Sequence, residues 1–366
     1  MVYGTHCVAS KVKAAIVIKL HEIEEQQHAS ENKILNRFVE IKNLEKSFYG
    51  HGIFKSLKNA VKAVDRVSLG IEKKSVFGLV GESGCGKTSL VRSVLYLDPP
   101  TAGEVWIDNT LLGDLSPAGL RSFRRRMQIV FQDPNSALNP KMNIQDSLEE
   151  GLVNRGFNTQ RRREQVSRVL DLVGISPSHS TRYPHEFSGG QKQRIVIARA
   201  LCMEPDFLVL DEPVSNLDVS IQAQIVNLLQ DIKDELGLTY LFISHDLNLV
   251  AYLSDKIAVM YKGRLAETGS TDEIMTKPLH PYTLKLFSSI PGMETAAIAE
   301  DIHAPAEPSM ENSEKISSNT DGCNYVDFCP LSDRECDERE PQLVTIEGSH
   351  KVACHKFSCL ETHAKT

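Results

Sequence analysis

Between residues 81 and 88 the chain reads Gly81-Glu82-Ser83-Gly84-Cys85-Gly86-Lys87-Thr88, which fits the pattern G-x-x-x-x-G-K-[ST]. Glycines at these positions let the backbone bend until consecutive N–H groups point at phosphate oxygens, and a following helix adds its positive end. Lys87 would reach the β- and γ-phosphates of a nucleotide, and the Thr88 hydroxyl would bind Mg²⁺. The run therefore predicts a phosphate-binding loop, with a glycine-rich turn that binds nothing as the alternative.

The segments around this loop alternate between strand and helix patterns. The apolar run at 75–80 is typical of a buried parallel strand, and residues 89–97 have a helical pattern. Further strands are predicted at 38–41, 61–71, 127–131, 207–210, 238–243 and 256–260, and a helix at 221–236. This alternation predicts an α/β fold with a mostly parallel sheet, and the helical pattern between residues 134 and 199 predicts a helical insertion.

Two adjacent carboxylates, Asp211 and Glu212, follow the strand predicted at 207–210. Ligands of open α/β sheets gather at the carboxyl ends of the strands. Asp211 is therefore predicted to bind the nucleotide's Mg²⁺, and Glu212 to act as general base toward the attacking water. A strand that ends in Asp-Glu can also be purely structural, but the phosphate loop favours the catalytic interpretation.

A second phosphate receptor is predicted at Ser188-Gly189-Gly190-Gln191. This run offers a hydroxyl, exposed amides and the N-terminus of the helix that follows. One chain does not need two receptors for one γ-phosphate. The simplest arrangement is two such domains that meet head to tail, each closing the nucleotide of the other.

With these motifs, and with Gln132 and His245, residues 38–291 resemble the ATP-binding subunits of ABC transporters. In family order, the matching motifs are Walker A (81–88, with Ser89 after it), the Q-loop glutamine Gln132, the signature (188–191), Walker B (207–212), the D-loop Ser215-Asn216-Leu217-Asp218 and the switch histidine His245. The resemblance implies a P-loop NTPase, an ABC-type ATPase with a RecA-like core, an antiparallel β subdomain and a helical subdomain at about 135–199.

The resemblance also assigns roles. It implies that Gln132 touches Mg²⁺ and the attacking water, and that His245 contacts the γ-phosphate. The family position of the adenine platform suggests Phe48 or Tyr49, with core packing of either ring as the alternative, because residues 50–60 look inserted. Asn216 stands where the family usually has alanine, so it could alter communication across the dimer, and Thr88 replaces the commoner serine.

Further runs are similar to the dipeptide/oligopeptide/nickel branch, and most similar to its second ATPase. They are Gln132-Asp133-Pro134 with Leu138-Asn139-Pro140, Arg182-Tyr183-Pro184-His185-Glu186-Phe187, Val219-Ser220-Ile221-Gln222-Ala223-Gln224 and His280-Pro281-Tyr282-Thr283. The resemblance implies ATP hydrolysis that powers the uptake of peptides or similar small solutes. It implies a second, non-identical ATPase subunit, two transmembrane permease subunits and, indirectly, an extracytoplasmic solute-binding protein, with the chain peripheral at the cytoplasmic face of the membrane.

Two rival interpretations come from other classes. A non-transport ABC ATPase that acts on nucleic acid or ribosomes usually carries two ATPase domains or a long coiled coil, whereas only 100 residues lie between Lys87 and Ser188. A net charge of −7 also disfavours nucleic acid as a partner. A regulatory protein that binds ATP without hydrolysing it is disfavoured by Glu212 and His245.

The C-terminal part, residues 292–366, differs in composition from the rest of the chain. Residues 294–340 hold 13 acidic and 3 basic side chains, a net charge of −10, so the remainder of the chain carries +3. This composition predicts a loop-rich extension that lacks the apolar residues for a core of its own.

Five of the eight cysteines lie in the last 44 residues. Four of them, Cys323, Cys329, Cys336 and Cys354, could hold a 4Fe-4S cluster, and the family often carries such a cysteine-bearing extension. Zinc and unligated thiols remain alternatives, since the paired C-x2-C spacing typical of zinc sites is absent.

The sequence contains no run of the roughly 18 to 20 apolar residues that a membrane-spanning helix needs. The short apolar run at 14–18 is interrupted by Lys19, so a signal peptide is disfavoured. Residues 1–37 are polar and irregular and are predicted to form a flexible extension.

Overall fold

The computed structural model describes residues 37–49, 60–288 and 322–357. The extension predicted at 1–37 (up to residue 36), the insertion predicted at 50–60 (up to residue 59), most of the acidic stretch and Cys359 lie outside the described residues. The strands are β1 (Arg37–Tyr49), β2 (Ala60–Glu72), β3 (Val76–Val80), β4 (Ala102–Ile107), β5 (Thr110–Leu111), β6 (Met127–Val130), β7 (Phe207–Asp211), β8 (Thr239–Ile243), β9 (Lys256–Tyr261), β10 (Arg264–Ser270), β11 (Val344–Glu347) and β12 (His350–Val352).

The helices alternate with these strands along the chain. They are α1 (Lys87–Val94), α2 (Pro117–Phe123), α3 (Pro134–Ala137), α4 (Ile144–Asn154), α5 (Thr159–Leu172), α6 (Gly189–Leu201), α7 (Val219–Leu236), α8 (Leu247–Leu253), α9 (Thr271–Thr276), α10 (Pro281–Ser288) and α11 (Arg334–Glu338). Short 3-10 turns lie at Leu112–Asp114, Arg124–Arg126, Pro177–His179, Pro184–Glu186 and Val326–Phe328.

The main sheet has eight strands in the order β11-β12-β10-β9-β3-β8-β7-β6. The five strands from β9 to β6 run parallel, with Gly78 opposite Phe242 and Leu208 opposite Tyr240. Strands β3 and β8 are buried along their whole length, as expected for a sheet covered by helices on both faces. The α/β fold predicted from the sequence is confirmed.

A second sheet is antiparallel and has the order β2-β1-β4-β5. Together with one face of the main sheet it encloses a core that contains Val39 and Ile41 from β1, Leu79 from β3, and Leu90 and Val94 from α1. Helix α1 is therefore held between the two sheets, which fixes the loop that precedes it.

Between β6 and β7 the described residues are helical. Helices α4, α5 and α6 pack through buried side chains such as Leu148, Leu170 and Ile195. This segment follows the helical pattern at 134–199, and it leaves the N-terminus of α6 exposed at Ser188 and Gly189.

Helix α1 ends earlier than the sequence suggests. The helical pattern extends to residue 97, but the helix ends at Val94 because Tyr96 adopts a left-handed backbone conformation with φ of 53°. The Leu97 amide then donates to the Arg92 carbonyl at 2.9 Å, which closes the last turn.

The described part of the C-terminal extension, residues 322–357, is attached to the main sheet. Strand β12 pairs antiparallel with β10, with Val352 opposite Glu267, and β11 pairs with β12. Tyr325 and Val352 are buried. The extension therefore adds two strands to one edge of the main sheet, a connection that its acidic, apolar-poor composition does not reveal.

Candidate active site

The phosphate loop joins β3 to α1 and depends on glycine where its backbone is most confined. Gly86 has φ of 111° and lies just before α1, and a Cβ atom there would come within 2.1 Å of the Ala63 carbonyl oxygen. Only glycine fits this conformation and this close approach. Ser83, Gly84 and Thr88 are exposed, so the loop and the N-terminus of α1 face outward, where an anion can reach their N–H groups.

The Lys87 side chain is buried and folds back over the loop. Its Nζ donates to the carbonyl oxygens of Gly81 at 2.6 Å and of Glu82 at 2.9 Å. Cys85 lies beside it and is also buried, and this burial raises the pKa of the Cys85 thiol. Cys85 therefore behaves as a small neutral side chain that fills the loop.

Asp211 ends β7 in the row of strand ends that also carries the phosphate loop. Burial raises the pKa of its carboxyl group, and the neighbouring Glu212 raises it further, while the Lys87 ammonium lowers it. A buried carboxylate next to a second carboxylate is stabilised in its charged form by a nearby cation. Asp211 therefore has the surroundings expected of a magnesium ligand.

Three side chains that the sequence singles out meet at one oxygen. Gln132 follows β6, Glu212 follows β7 and His245 follows β8, so they lie at the carboxyl ends of three adjacent parallel strands. The Gln132 amide donates to Glu212 Oε2 at 2.9 Å, and His245 Nδ1 lies 3.3 Å from the same oxygen. This arrangement can hold and orient a carboxylate that accepts a proton.

The backbone at Glu212 adds to this orientation. Its φ is 49°, in the left-handed region that a glutamate seldom adopts, and its N–H donates to the Ile243 carbonyl at 2.9 Å. Such a conformation costs about 1 kcal/mol or more and persists only where the surrounding structure enforces it. The Ser215 hydroxyl also helps to hold Gln132, since it accepts from Gln132 Nε2 at 3.2 Å.

The predicted signature run caps α6. The Ser188 side chain accepts from the Gln191 N–H at 3.4 Å, and the Gln191 side chain accepts from the Ser188 N–H at 3.0 Å, which is a capping box. Among the described residues, 188–191 make no hydrogen bond to residues 81–89 of the same chain. Within the described residues, the exposed end of α6 is therefore separate from the phosphate loop of its own chain, as expected if it receives the nucleotide of a second subunit.

The D-loop connects β7 to α7 and contacts the Q-loop. Asp218 caps α7 by accepting from the Ile221 N–H at 3.0 Å. Asn216, the departure from the family pattern, donates through Nδ2 to the Gln132 backbone oxygen at 3.4 Å.

The two candidates for the adenine platform lie at the end of β1. The Phe48 side chain is 45% exposed, so it is not packed in the core, and the Lys46 ammonium lies 5.5 Å from the centre of its ring. Tyr49 is the last residue of β1. The exposed ring of Phe48 is available for stacking.

The four cysteines in the described part of the C-terminal extension are free thiols, of which Cys336 is buried and the other three are half-buried. Burial, with a smaller contribution from neighbouring cysteines of the set, raises the pKa of Cys329 to about 11 and that of Cys354 to about 12. Among the described residues, no three His, Cys, Asp or Glu side chains are grouped closely enough to hold a metal ion. The thiols are therefore neighbours, but not at the spacing of ligands around a single ion.

The sequence reasoning missed a buried polar network that attaches the extension. Glu267 of β10 is fully buried, and its carboxylate accepts from the Leu279 and His280 amides at 2.7 and 3.0 Å. His350 Nε2 lies 2.6 Å from Glu267 Oε1. Burial lowers the pKa of His280 to about 4.

A second missed contact reaches the phosphate loop, where the Glu82 N–H donates to the Tyr282 hydroxyl at 3.0 Å. The residue types of the run at 280–283 predict neither the bond of the His280 amide to Glu267 nor the bond of the Tyr282 hydroxyl to Glu82.

Within the described parts of the chain, no helix is both long enough and apolar enough to span a membrane.

Comparison with known proteins extends over most of the chain. Residues 64–215 match the family described as ABC transporter, and residues 266–336 match the family described as oligopeptide/dipeptide transporter, C-terminal region. The chain is 47% identical over 274 residues to the oligopeptide transport ATP-binding protein OppF of Streptococcus mutans, covering 74% of this chain and 87% of that protein. It is 41% identical over 331 residues to the oligopeptide transport ATP-binding protein AppF of Bacillus subtilis, covering 87% and 97%.

A solved dimeric ATP-binding cassette, in a post-hydrolysis state bound to ADP and Pi, is similar in structure. It is 29% identical, with a TM-score of 0.56, and the match covers 64% of this chain and 98% of that cassette. The similarity therefore includes the core that carries the phosphate loop, while the second family match reaches Cys323, Cys329 and Cys336.

Proposed function

This chain belongs to the ATP-binding subunits of ABC transporters and is an ATPase, and from that premise we propose that it powers the uptake of peptides or similar small solutes through a separate membrane permease. The names of its relatives, which refer to oligopeptide transport, support this cargo class over the rival action on nucleic acid or ribosomes. In the proposed complex the chain lies at the cytoplasmic face of the membrane, with two permease subunits, a second ATPase of different sequence and, indirectly, an extracytoplasmic solute-binding protein.

In this proposal residues 81–89 bind the phosphates of ATP, and Thr88, Gln132 and Asp211 hold Mg²⁺. The exposure of Ser83, Gly84 and Thr88, the positive end of α1 and the half-buried carboxylate of Asp211 support these roles. When bound, Mg²⁺ neutralises charge that develops on the phosphate oxygens. Phe48 or Tyr49 is the proposed adenine platform, and the exposed ring of Phe48 supports the first of the two.

Glu212 is the proposed general base. The observation that carries this role is the meeting of Gln132 and His245 at Glu212 Oε2. Glu212 takes a proton from the attacking water as the oxygen bonds to the γ-phosphorus, and the bond to the β-phosphate oxygen breaks to leave ADP and phosphate. In the same scheme, the His245 side chain, which is 61% exposed, contacts the γ-phosphate.

The signature residues 188–191 are proposed to bind the nucleotide held by the second ATPase subunit. The exposed, capped N-terminus of α6 supports this role, as does the dimeric state of the similar cassette. Two subunits then close on ATP and reopen after hydrolysis, with Asp218 of the D-loop at their junction.

A further part of the proposal concerns Cys323, Cys329, Cys336 and Cys354, which we expect to hold a 4Fe-4S cluster. The four thiols lie close enough to raise one another's pKa, and four cysteine thiolates are the ligand set of a 4Fe-4S cluster. Backbone amides bond to all four sulfurs, as in the Lys356 N–H, whose nitrogen lies 3.3 Å from Cys354 Sγ. Such hydrogen bonds stabilise thiolate ligands.

Two measurements test the proposal. Affinity purification of the tagged full chain from solubilised membranes should recover two permease subunits and a second ATPase, and recovery of ribosomes or nucleic acid in their place would overturn the transport assignment. Anaerobically purified protein should contain iron and show a broad visible absorption band. Iron-free protein without that band would overturn the cluster and leave the transport assignment standing.

A further inference from the structure

Three tyrosines from distant parts of the chain pack together beside the phosphate loop. Tyr261 ends β9, Tyr282 lies in α10, and Tyr325 belongs to the C-terminal extension. The ring centres of Tyr261 and Tyr282 are 4.4 Å apart, and Tyr325 lies 5.2 Å from the first and 5.5 Å from the second. The extension thus supplies one wall of an aromatic cluster whose other members belong to the ATPase core.

One member of this cluster bonds directly to the phosphate loop. The Tyr282 hydroxyl accepts the Glu82 N–H at 3.0 Å, and the Tyr282 side chain is fully buried. On the other side of the same residue, the Glu82 carbonyl accepts from Lys87 Nζ at 2.9 Å. The Glu82 backbone is therefore held at both its N–H and its C=O, and Tyr282 provides the contact that does not come from the loop itself.

The position of Tyr325 depends on the cysteine-bearing segment. Tyr325 is 4% exposed and lies between Cys323 and Cys329 in the chain. The Cys323 amide donates to the Cys336 carbonyl at 2.8 Å, which closes the segment around Tyr325. Besides the tyrosines, the Tyr325 ring contacts His280 at 5.9 Å between ring centres, so it packs against the residue that begins the turn into α10.

We propose that the C-terminal cysteine segment sets the nucleotide affinity of the phosphate loop, through packing of Tyr325 on Tyr282 and the hydrogen bond from the Glu82 amide to the Tyr282 hydroxyl. Tyr282 is then a positioning residue: it fixes the first turn of the loop before phosphate binds, so less ordering is required on binding. This inference rests on the proposed binding of ATP by residues 81–89.

The first test removes only the hydroxyl, with the substitution Tyr282→Phe in the full chain. Loss of one neutral hydrogen bond weakens Mg²⁺–ADP binding by about fivefold, measured by isothermal titration calorimetry. KM for ATP rises by a similar factor while kcat changes by less than about twofold, since the reacting groups at Glu212 are untouched. The matched control is Tyr252→Phe, which removes the hydroxyl of an exposed tyrosine that donates to Asn227 Oδ1 at 3.1 Å and not to the loop.

The second test asks whether Tyr325 acts through Tyr282. Tyr325→Ala should weaken Mg²⁺–ADP binding, Tyr325→Phe should restore it because the ring is kept, and the double variant Tyr282→Phe/Tyr325→Ala should bind no more weakly than the weaker single variant. Wild-type affinity in Tyr282→Phe would overturn the proposal. Effects that multiply in the double variant would overturn the route through Tyr282.

A third variant separates this inference from the proposed function. Lys87→Ala should abolish measurable Mg²⁺–ADP binding. If Lys87→Ala binds as the wild type does, the assignment of residues 81–89 is overturned and this inference with it. If Lys87→Ala loses binding while Tyr282→Phe and Tyr325→Ala both retain it, the nucleotide site stands and the coupling to the extension is overturned.

Discussion

The nucleotide site and the C-terminal extension are built in opposite ways. The site uses polar side chains at the ends of four adjacent parallel strands, each placed by the loop that follows its own strand. The extension, residues 322–357, is held by a few buried contacts with residues far away in the sequence, above all those of Glu267 and Tyr325. Changes in the site should therefore alter the reaction and leave stability intact, whereas changes at the attachment of the extension should alter stability.

The largest expected effect is on the reaction itself. Glu212→Gln keeps the shape of the side chain but cannot accept a proton, so kcat for ATP hydrolysis should fall by about 10²- to 10⁴-fold. The same variant should accumulate as an ATP-bound closed dimer, measurable by size-exclusion chromatography with ATP. Its thermal unfolding should match the wild type, because the strand ends do not depend on this charge.

The control for this variant is Glu164→Gln, the same change at an exposed position of α5. It should hydrolyse ATP at the wild-type rate. Near-normal turnover in Glu212→Gln would show that Glu212 is not the general base. It would also contradict the expectation that changes in the nucleotide site act on the reaction.

The next effect falls on the attachment of the extension. Glu267→Gln replaces a buried carboxylate that accepts from the Leu279 and His280 amides and bonds to His350. The glutamine oxygen can still accept on one side, but its NH₂ cannot accept from the backbone amide on the other, and the buried negative charge is lost, so the free energy of unfolding should fall by about 2 to 4 kcal/mol, measured by urea denaturation. Glu347→Gln, an exposed site in β11 of the same segment, should change it by less than about 0.5 kcal/mol. Equal stability of the two variants would show that the buried network does not hold the extension.

A pH dependence sharpens the same comparison. Burial lowers the pKa of His280 to about 4 from an ordinary value of 6.5. The unfolded chain therefore binds more protons than the folded one between these values, and stability falls as the pH falls through this range. Between about pH 7 and pH 5 this loss amounts to about 2 kcal/mol, measured by urea denaturation at each pH.

The variant that checks this origin is His280→Asn, whose side-chain oxygen can still accept from the Tyr282 amide, as His280 Nδ1 does at 3.0 Å. Its stability should change less with pH over the same range. The carboxyl groups with depressed pKa, Asp65 and Glu273, each at about 2, do not interfere, because they lose their contribution only at lower pH. If the free energy of unfolding of His280→Asn falls with pH as steeply as that of the wild type, the pH dependence comes from another group.

The two regions also differ in what the sequence reveals. The phosphate loop consists of eight consecutive residues, and Asp211 directly follows an apolar run. Local sequence patterns therefore predict both where these strands end and which functional residues follow them. Local patterns alone do not predict the contacts of Gln132 and His245 with Glu212 Oε2. Bringing these three residues together also needs the rule that the carboxyl ends of parallel strands lie at one edge of a sheet, and the order of the family motifs. By contrast, the contacts between Glu267 and His350, 83 positions apart, and between Glu82 and Tyr282, 200 positions apart, leave no local pattern, because each one joins two segments that are far apart in the chain. The end of α1 at Val94 cannot be predicted from local patterns for a related reason, since the left-handed conformation of Tyr96 after it is not favoured by the propensity of tyrosine.

The smallest expected effect tests whether the D-loop departure matters. Asn216 Nδ2 donates one long hydrogen bond to the Gln132 backbone oxygen, at 3.4 Å, and both Asn216 and Gln132 are exposed. Water can replace such a bond at little cost, so Asn216→Ala should change kcat by less than about twofold and leave stability unchanged. Gln132→Ala provides the contrast, because it removes the 2.9 Å bond to Glu212 and should lower kcat by more than Asn216→Ala does. A loss of kcat of about tenfold in Asn216→Ala would instead mean that the D-loop positions Gln132 for catalysis. The reaction, like the attachment of the extension, would then depend on a contact that the sequence pattern does not predict.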